Sequence, residues 1–196
     1  MDAVIVDTLR EARTALDDLL ANKATLQAIG EAGRLLAATF AGDGRVYSCG
    51  NGGSMCDAMH FAEELSGRFR QNRRPLAATV IGDAGHLTCV ANDYGFDQVF
   101  SRYVEAHGRA GDCLLAISTS GSSANVVRAA EAARVGGLKT IALTGKPGSP
   151  LGVLADIDIC TPGGRFADRV QELHIKVVHI LIELVERELC PENYAT

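Results

Sequence analysis

The segment CGNGGSMCDAMHFAEEL, residues 49–65, passes from an apolar run through two adjacent glycines into a helical pattern that carries a histidine and a glutamate four positions apart. On a helix, His60 and Glu64 project from one face. A pair at this spacing is also commonplace on helix surfaces, and Glu63 beside it reads as a solvated side chain. A second pattern, RVQELHIKVVHILIELVE (169–186), places Gln171 and His179 about 80° apart around a helix, both bordering its apolar side. His179 taken alone reads as a core histidine, and His174, His86 and His107 as structural or surface residues.

A glutamate and a buried histidine brought together suit proton transfer beside a carbonyl. That chemistry needs a base for the carbon-bound proton and an acid for the oxygen, with pKa values moved towards neutrality. His60, Glu64, Gln171 and His179 equally offer imidazole, carboxylate and amide oxygen to a divalent metal. The residues alone do not choose between the two.

Two loops carry anion-binding chemistry. Ser118-Thr119-Ser120-Gly121-Ser122-Ser123 follows the strand-like CLLAIS and precedes a helical pattern, so hydroxyls collect where a first helical turn leaves its N–H groups unpartnered. One serine, Ser122 or Ser123, could serve only as an N-cap; the full run favours a phosphate. Asn51-Gly52-Gly53-Ser54 repeats the arrangement at the end of the first strand, with His60 and Glu64 read as one turn beyond it. The dinucleotide fingerprint fails at Met55 and the Walker loop fails at Pro147. G-x-S-x-G is absent. These absences point to a phosphorylated small molecule and to no nucleotide cofactor.

Positioning such loops requires strands that end beneath them. Two amphipathic helices over 3–21 and 24–40 come first, then strand and helix patterns alternate. Strands are expected at 45–50, 77–82, 113–118, 140–145 and 157–160. Helices are expected from the glycine turn to about Phe69, near 85–91, near 97–107, over 123–136, near 150–155, and from Phe166 to Leu189. Alternation of this kind predicts an α/β fold with a parallel five-stranded, flavodoxin-like sheet flanked by helices, and long N- and C-terminal helices. Ligands sit beyond the carboxyl ends of such strands.

The 196 residues form one expected domain, 1–196: N-terminal helices 3–40, α/β core 45–162 and C-terminal helix 166–189. A net charge of −5 argues against a nucleic-acid partner. Six cysteines without C-x-x-C spacing, several in apolar runs, fit a reducing, cytoplasmic location. No apolar run reaches the length of a membrane span.

CGNGGS followed by DAMHFAEELSGRFR, then VANDYGF, AISTSGSSANV, LTG and ADRVQELHIKVVH resemble, in order over residues 7–189, the bacterial phosphoheptose isomerases of the sugar isomerase (SIS) family. The STSG turn marks any SIS domain; its combination with H-x-x-x-E and Q-x-x-H-x-x-x-x-H is more specific. The resemblance implies interconversion of sedoheptulose 7-phosphate and a manno-heptose 7-phosphate through an enediol, at the start of heptose synthesis for lipopolysaccharide or related glycans. Glu64 matches the family's base and His179 its acid. Ser54, Ser118, Thr119, Ser120 and Ser123 match phosphate positions, and Asn51, Gly52, Gly53, Arg68, Asn92, Asp93, Asp168 and Gln171 line the sugar site. The resemblance further implies zinc held by His60, Glu64, Gln171 and His179, and a homotetramer with active sites between subunits. Gly82 and Gly85 depart from it, standing where relatives carry hydroxyls. A non-catalytic SIS protein that associates with the replication initiator or senses a sugar phosphate is the expected alternative. An isomerase of a shorter or aminated sugar phosphate is a third.

Overall fold

A computed structural model describes residues 1–164 and 166–195. Helices α1 (Asp2–Ala21) and α2 (Lys23–Ala41) precede strand β1 (Val46–Cys49) and α3 (Gly53–Ser66). Strand β2 (Ala78–Val80), α4 (Ala84–Tyr94), a single 3-10 turn (Phe96–Gln98) and α5 (Ser101–His107) follow. Then come β3 (Cys113–Ser118), α6 (Ala124–Val135), β4 (Lys139–Thr144), α7 (Pro150–Leu154), β5 (Ile157–Cys160) and α8 (Ala167–Leu189). All strand pairs are parallel and the order is β2-β1-β3-β4-β5. This is the expected flavodoxin-like order, and its direction reverses between β1 and β3, where such sheets bind ligands.

The pleat divides the core in two. Val46, Cys113, Leu115, Ile117, Ile141, Leu143 and Ile159 face α1, α2, α3 and α8. Tyr47, Cys49, Leu114, Ala116 and Ala142 face α4, α5, α6 and α7. Burial on both faces explains why the strands read as continuous apolar runs. All six cysteines are free thiols; Cys113 and Cys49 are buried in these two clusters, and Cys190 is buried beyond the end of α8. Among the described residues no helix is long and apolar enough to cross a membrane.

Three element boundaries differ from expectation. β2 is only three residues long, because it is an edge strand paired on one side. The helical stretch near 97–107 is broken after Gln98, and α5 starts afresh at Ser101. Helix α3 stops at Ser66, not Phe69, because Gly67 leaves helical geometry (φ −93°, ψ −119°).

The wholly buried histidine of α8 is His174, not His179: His174 is 0% exposed whereas His179 is exposed. The reason is angular. His174 lines up with Val178 and Leu181 at the centre of the apolar stripe, and His179 sits at its border. Nε2 of His174 lies 3.1 Å from the carbonyl oxygen of Thr144, and Nδ1 has no partner. Burial pushes its pKa down from 6.5 to about 4, partly opposed by that bond. The unfolded chain therefore binds the extra proton first as pH falls. The stabilisation is complete above pH 6.5 and is lost as pH drops towards 4, by roughly 3 kcal/mol from this residue. Urea unfolding of His174→Phe is expected to depend less steeply on pH between 6.5 and 4 than that of the wild type; equal slopes would remove His174 as the cause.

Candidate active site

The loops after β1 and β3 lie side by side at the switch point. Asn51 and Asn125 tie them together through two reciprocal amide bonds, each 2.9 Å. Asn125 is buried at the start of α6 and was not singled out in the sequence, because its partner is 74 residues away. The Asn51 amide is thus committed to holding the two loops in register.

In the hydroxyl loop, Ser118 Oγ lies 3.1 Å from Ser123 Oγ and 3.4 Å from Ser120 Oγ, and Ser122 Oγ lies 3.1 Å from Ser120 Oγ. Ser123 occupies the N-cap position of α6 without a side-chain capping bond. Its hydroxyl turns back into the loop, so the capping role does not account for it. The loop closes at Gly121, whose φ of +62° is left-handed and whose missing Cβ leaves the space that the Ser149 side chain fills. Ser54 is buried in the first turn of α3. At Gly53 a Cβ would come within 2.7 Å of Gln171 Nε2, so glycine there lets α8 approach the α3 N-terminus.

A second cluster forms further along the α3–α8 contact. His60 Nε2 lies 2.9 Å from His179 Nε2 and 3.6 Å from Glu64 Oε1. His60 Nδ1 lies 3.0 Å from Glu63 Oε1. Glu63 is solvated as expected, its side chain 64% exposed, and its carboxylate also lies beside His60 Nδ1, where it helps to orient the ring. Glu64 is mostly buried, its side chain 18% exposed. Phe69 backs the His179 ring at a centroid distance of 5.8 Å. Partial burial and then the His60 charge hold the His179 pKa below the usual histidine value, with Glu64 opposing. His179 is therefore neutral at pH 7 and carries one N–H.

The donor set fits a borderline-soft ion. His60 Nε2 has the His179 ring nitrogen on one side and a Glu64 carboxylate oxygen on another, so imidazole and carboxylate donors stand together. Among the described residues, the ligand atoms of His60, Glu63 and Glu64 all lie within 4.8 Å of one another. Gln171 sits against Gly53, about two turns before His179 on α8, and among the described residues no hydrogen bond joins it to the cluster.

Several expected site residues stay apart. Asn92 Nδ2 bonds Asp93 Oδ1 at 2.7 Å on exposed α4, and Asp168 bonds Arg169 through both carboxylate oxygens. Arg68 is exposed in the turn after α3. None of these shares a hydrogen bond or ion pair with the cluster among the described residues. Gly82 and Gly85 leave space beside Met55 and Asp83.

The two halves of the site are separated along α3. Glu64 lies eleven residues after Gly53, about 16 Å along the helix axis, and His60 about 10 Å, well beyond the single turn expected.

Residues 9–145 match the SIS domain family. A phosphoheptose isomerase of Edwardsiella ictaluri is 56% identical over 95% of this chain and 96% of its own length. The chain belongs to the phosphoheptose isomerase family of SIS-domain proteins. Two phosphoheptose isomerase structures superpose on it: that from Neisseria gonorrhoeae with a TM-score of 0.87 and 38% identity, covering 94% of this chain and 98% of that one, and that from Francisella tularensis with 0.88 and 34%, covering 94% and 97%.

Proposed function

We propose that the chain interconverts sedoheptulose 7-phosphate and D-glycero-D-manno-heptose 7-phosphate by moving a proton between C1 and C2. The observation that carries this reading is the 2.9 Å contact between His60 and His179 beside the mostly buried Glu64 carboxylate, in a chain whose relatives are phosphoheptose isomerases.

Glu64 takes a proton from C1 of the ketose, and His179 hands its N–H proton to the C2 oxygen. The resulting enediol returns the C1 hydroxyl proton to His179 and accepts the Glu64 proton at C2, leaving an aldehyde at C1. No proton is gained or lost overall. A neutral imidazole suits this exchange because it both donates and accepts. Ser118, Thr119, Ser120 and Ser123, with Ser54, hold the phosphate. Asn51, Gly52 and Gly53 shape the adjoining wall, and Arg68, Asn92, Asp93, Asp168 and Gln171 complete the sugar contacts. Zinc held by His60, Glu64, His179 and Gln171 would polarise the carbonyl and hydroxyl oxygens as a Lewis acid.

The glycine turn and Glu64 stand about 16 Å apart along α3, and a site shared between copies, with the phosphate loop of one serving the Glu64–His179 pair of another, suits that separation. A homotetramer supplies that pairing. Exposed Val4, Ile5, Val6 and Leu9 on α1 provide apolar surface for it. The same pairing brings Arg68, Asn92 and Asp93, which are exposed on the isolated chain, to a neighbouring phosphate loop. A cytoplasmic enzyme feeding heptose synthesis is the setting these features fit.

Incubation of the purified chain with sedoheptulose 7-phosphate is expected to yield an aldose 7-phosphate, read by chromatography and NMR. Turnover of a shorter or aminated sugar phosphate with none of the heptulose ester would reject the substrate assignment.

A further inference from the structure

The last four carbonyls of a helix have no partner within it. At the end of α3 one side chain takes up several of them. Arg73 Nη2 donates to the Glu64 carbonyl at 2.6 Å, and Nη1 donates to those of Leu65 at 2.8 Å and Gly67 at 3.0 Å. Its Nε donates to Glu186 Oε1 at 2.9 Å. The Tyr194 hydroxyl donates to Glu186 Oε2 at 2.7 Å. Both charged side chains are sealed from solvent, Arg73 being 1% and Glu186 0% exposed.

A buried ion pair is poor evidence for added stability, since a well-packed apolar pair of similar volume often does as well. Its placement indicates a different role. One end of the pair grips the backbone of Glu64; the other lies on α8, seven residues, or about 10 Å, beyond His179. We propose that Arg73 and Glu186 are positioning residues for the isomerisation, setting the separation of Glu64 on α3 from His179 on α8. This rests on the reading of those two residues as the proton carriers. Small errors in such a separation are costly, a 1 Å displacement lowering rates on the order of 100-fold. Lysine at position 73 would restore the charge beside Glu186 but lacks the planar fork that reaches three carbonyls.

Two variants separate positioning from packing: Arg73→Lys, and Arg73→Met combined with Glu186→Met, which strands neither charge. Thermal midpoints are measured first, and kcat and KM for sedoheptulose 7-phosphate are then taken where each variant is fully folded. The expected result is a fall in kcat of at least about tenfold in both, with KM within about threefold of wild type. A folded double variant with wild-type kcat would overturn the proposal. Absence of turnover in the wild type would instead overturn the proton-carrier reading beneath it. If neither variant folds, hydrogen exchange of the wild type decides. The Leu65, Ser66 and Gly67 amides are expected to exchange as slowly as those of β3, and exchange at the rate of a fraying helix end would overturn the proposal.

Discussion

Glu64→Gln is expected to lower kcat by about 10³-fold, within the range that general base catalysis contributes, with KM little changed. The amide matches the carboxylate in shape and size but cannot take a proton from carbon. The fold should survive, because the α3 turn around residue 64 is held through its backbone carbonyl by Arg73, independently of the side chain. Circular dichroism and a thermal midpoint near that of the wild type, with turnover lost, would separate chemistry from structure. A rate within tenfold of wild type would remove Glu64 as the base.

His179→Gln is expected to reduce kcat by about 10²-fold and to alter stability little. The exposure of His179 makes this prediction sharp. A core histidine would show the opposite pattern, a large stability loss and surviving activity, as expected for His174. Glutamine retains a donor of comparable reach but cannot both give and recover a proton. The nearby Phe69 ring and Arg70–Glu183 ion pair at 2.8 Å remain to hold the local surface. Wild-type turnover in this variant would return His179 to a packing role.

The readable parts of this chain are those whose signal is local. β3 falls where its apolar run places it, because burial of the whole strand leaves no polar position before Ser118 to blur the pattern. The hydroxyl loop and glycine turn are recognisable for the same reason, since each is a contiguous run with its own chemistry. The end of α3 has a local mark in Gly67, but the side chain that takes up its carbonyls, Arg73, comes from a later turn and is anchored on α8, 113 residues away. The Asn51–Asn125 amide pair spans 74 residues and the His60–His179 contact 119. Neither distance leaves a mark on local spacing. Glu63 is solvated, as its position suggests, and its contact with the Nδ1 nitrogen of His60 is an i,i+3 pair on the same helix. The separation of the glycine turn from Glu64 follows from helix rise alone and was readable, yet similarity of motif drew the two together.

The most direct measurement is a crystal structure of the Glu64→Gln variant soaked with sedoheptulose 7-phosphate. The phosphate should lie against Ser118–Ser123 of one copy, with C1 and C2 within about 3.5 Å of residue 64 and the C2 oxygen at the His179 ring of another copy. Sugar density bound with its C1–C2 end remote from residues 64 and 179 in every pairing of subunits would contradict the proposed chemistry.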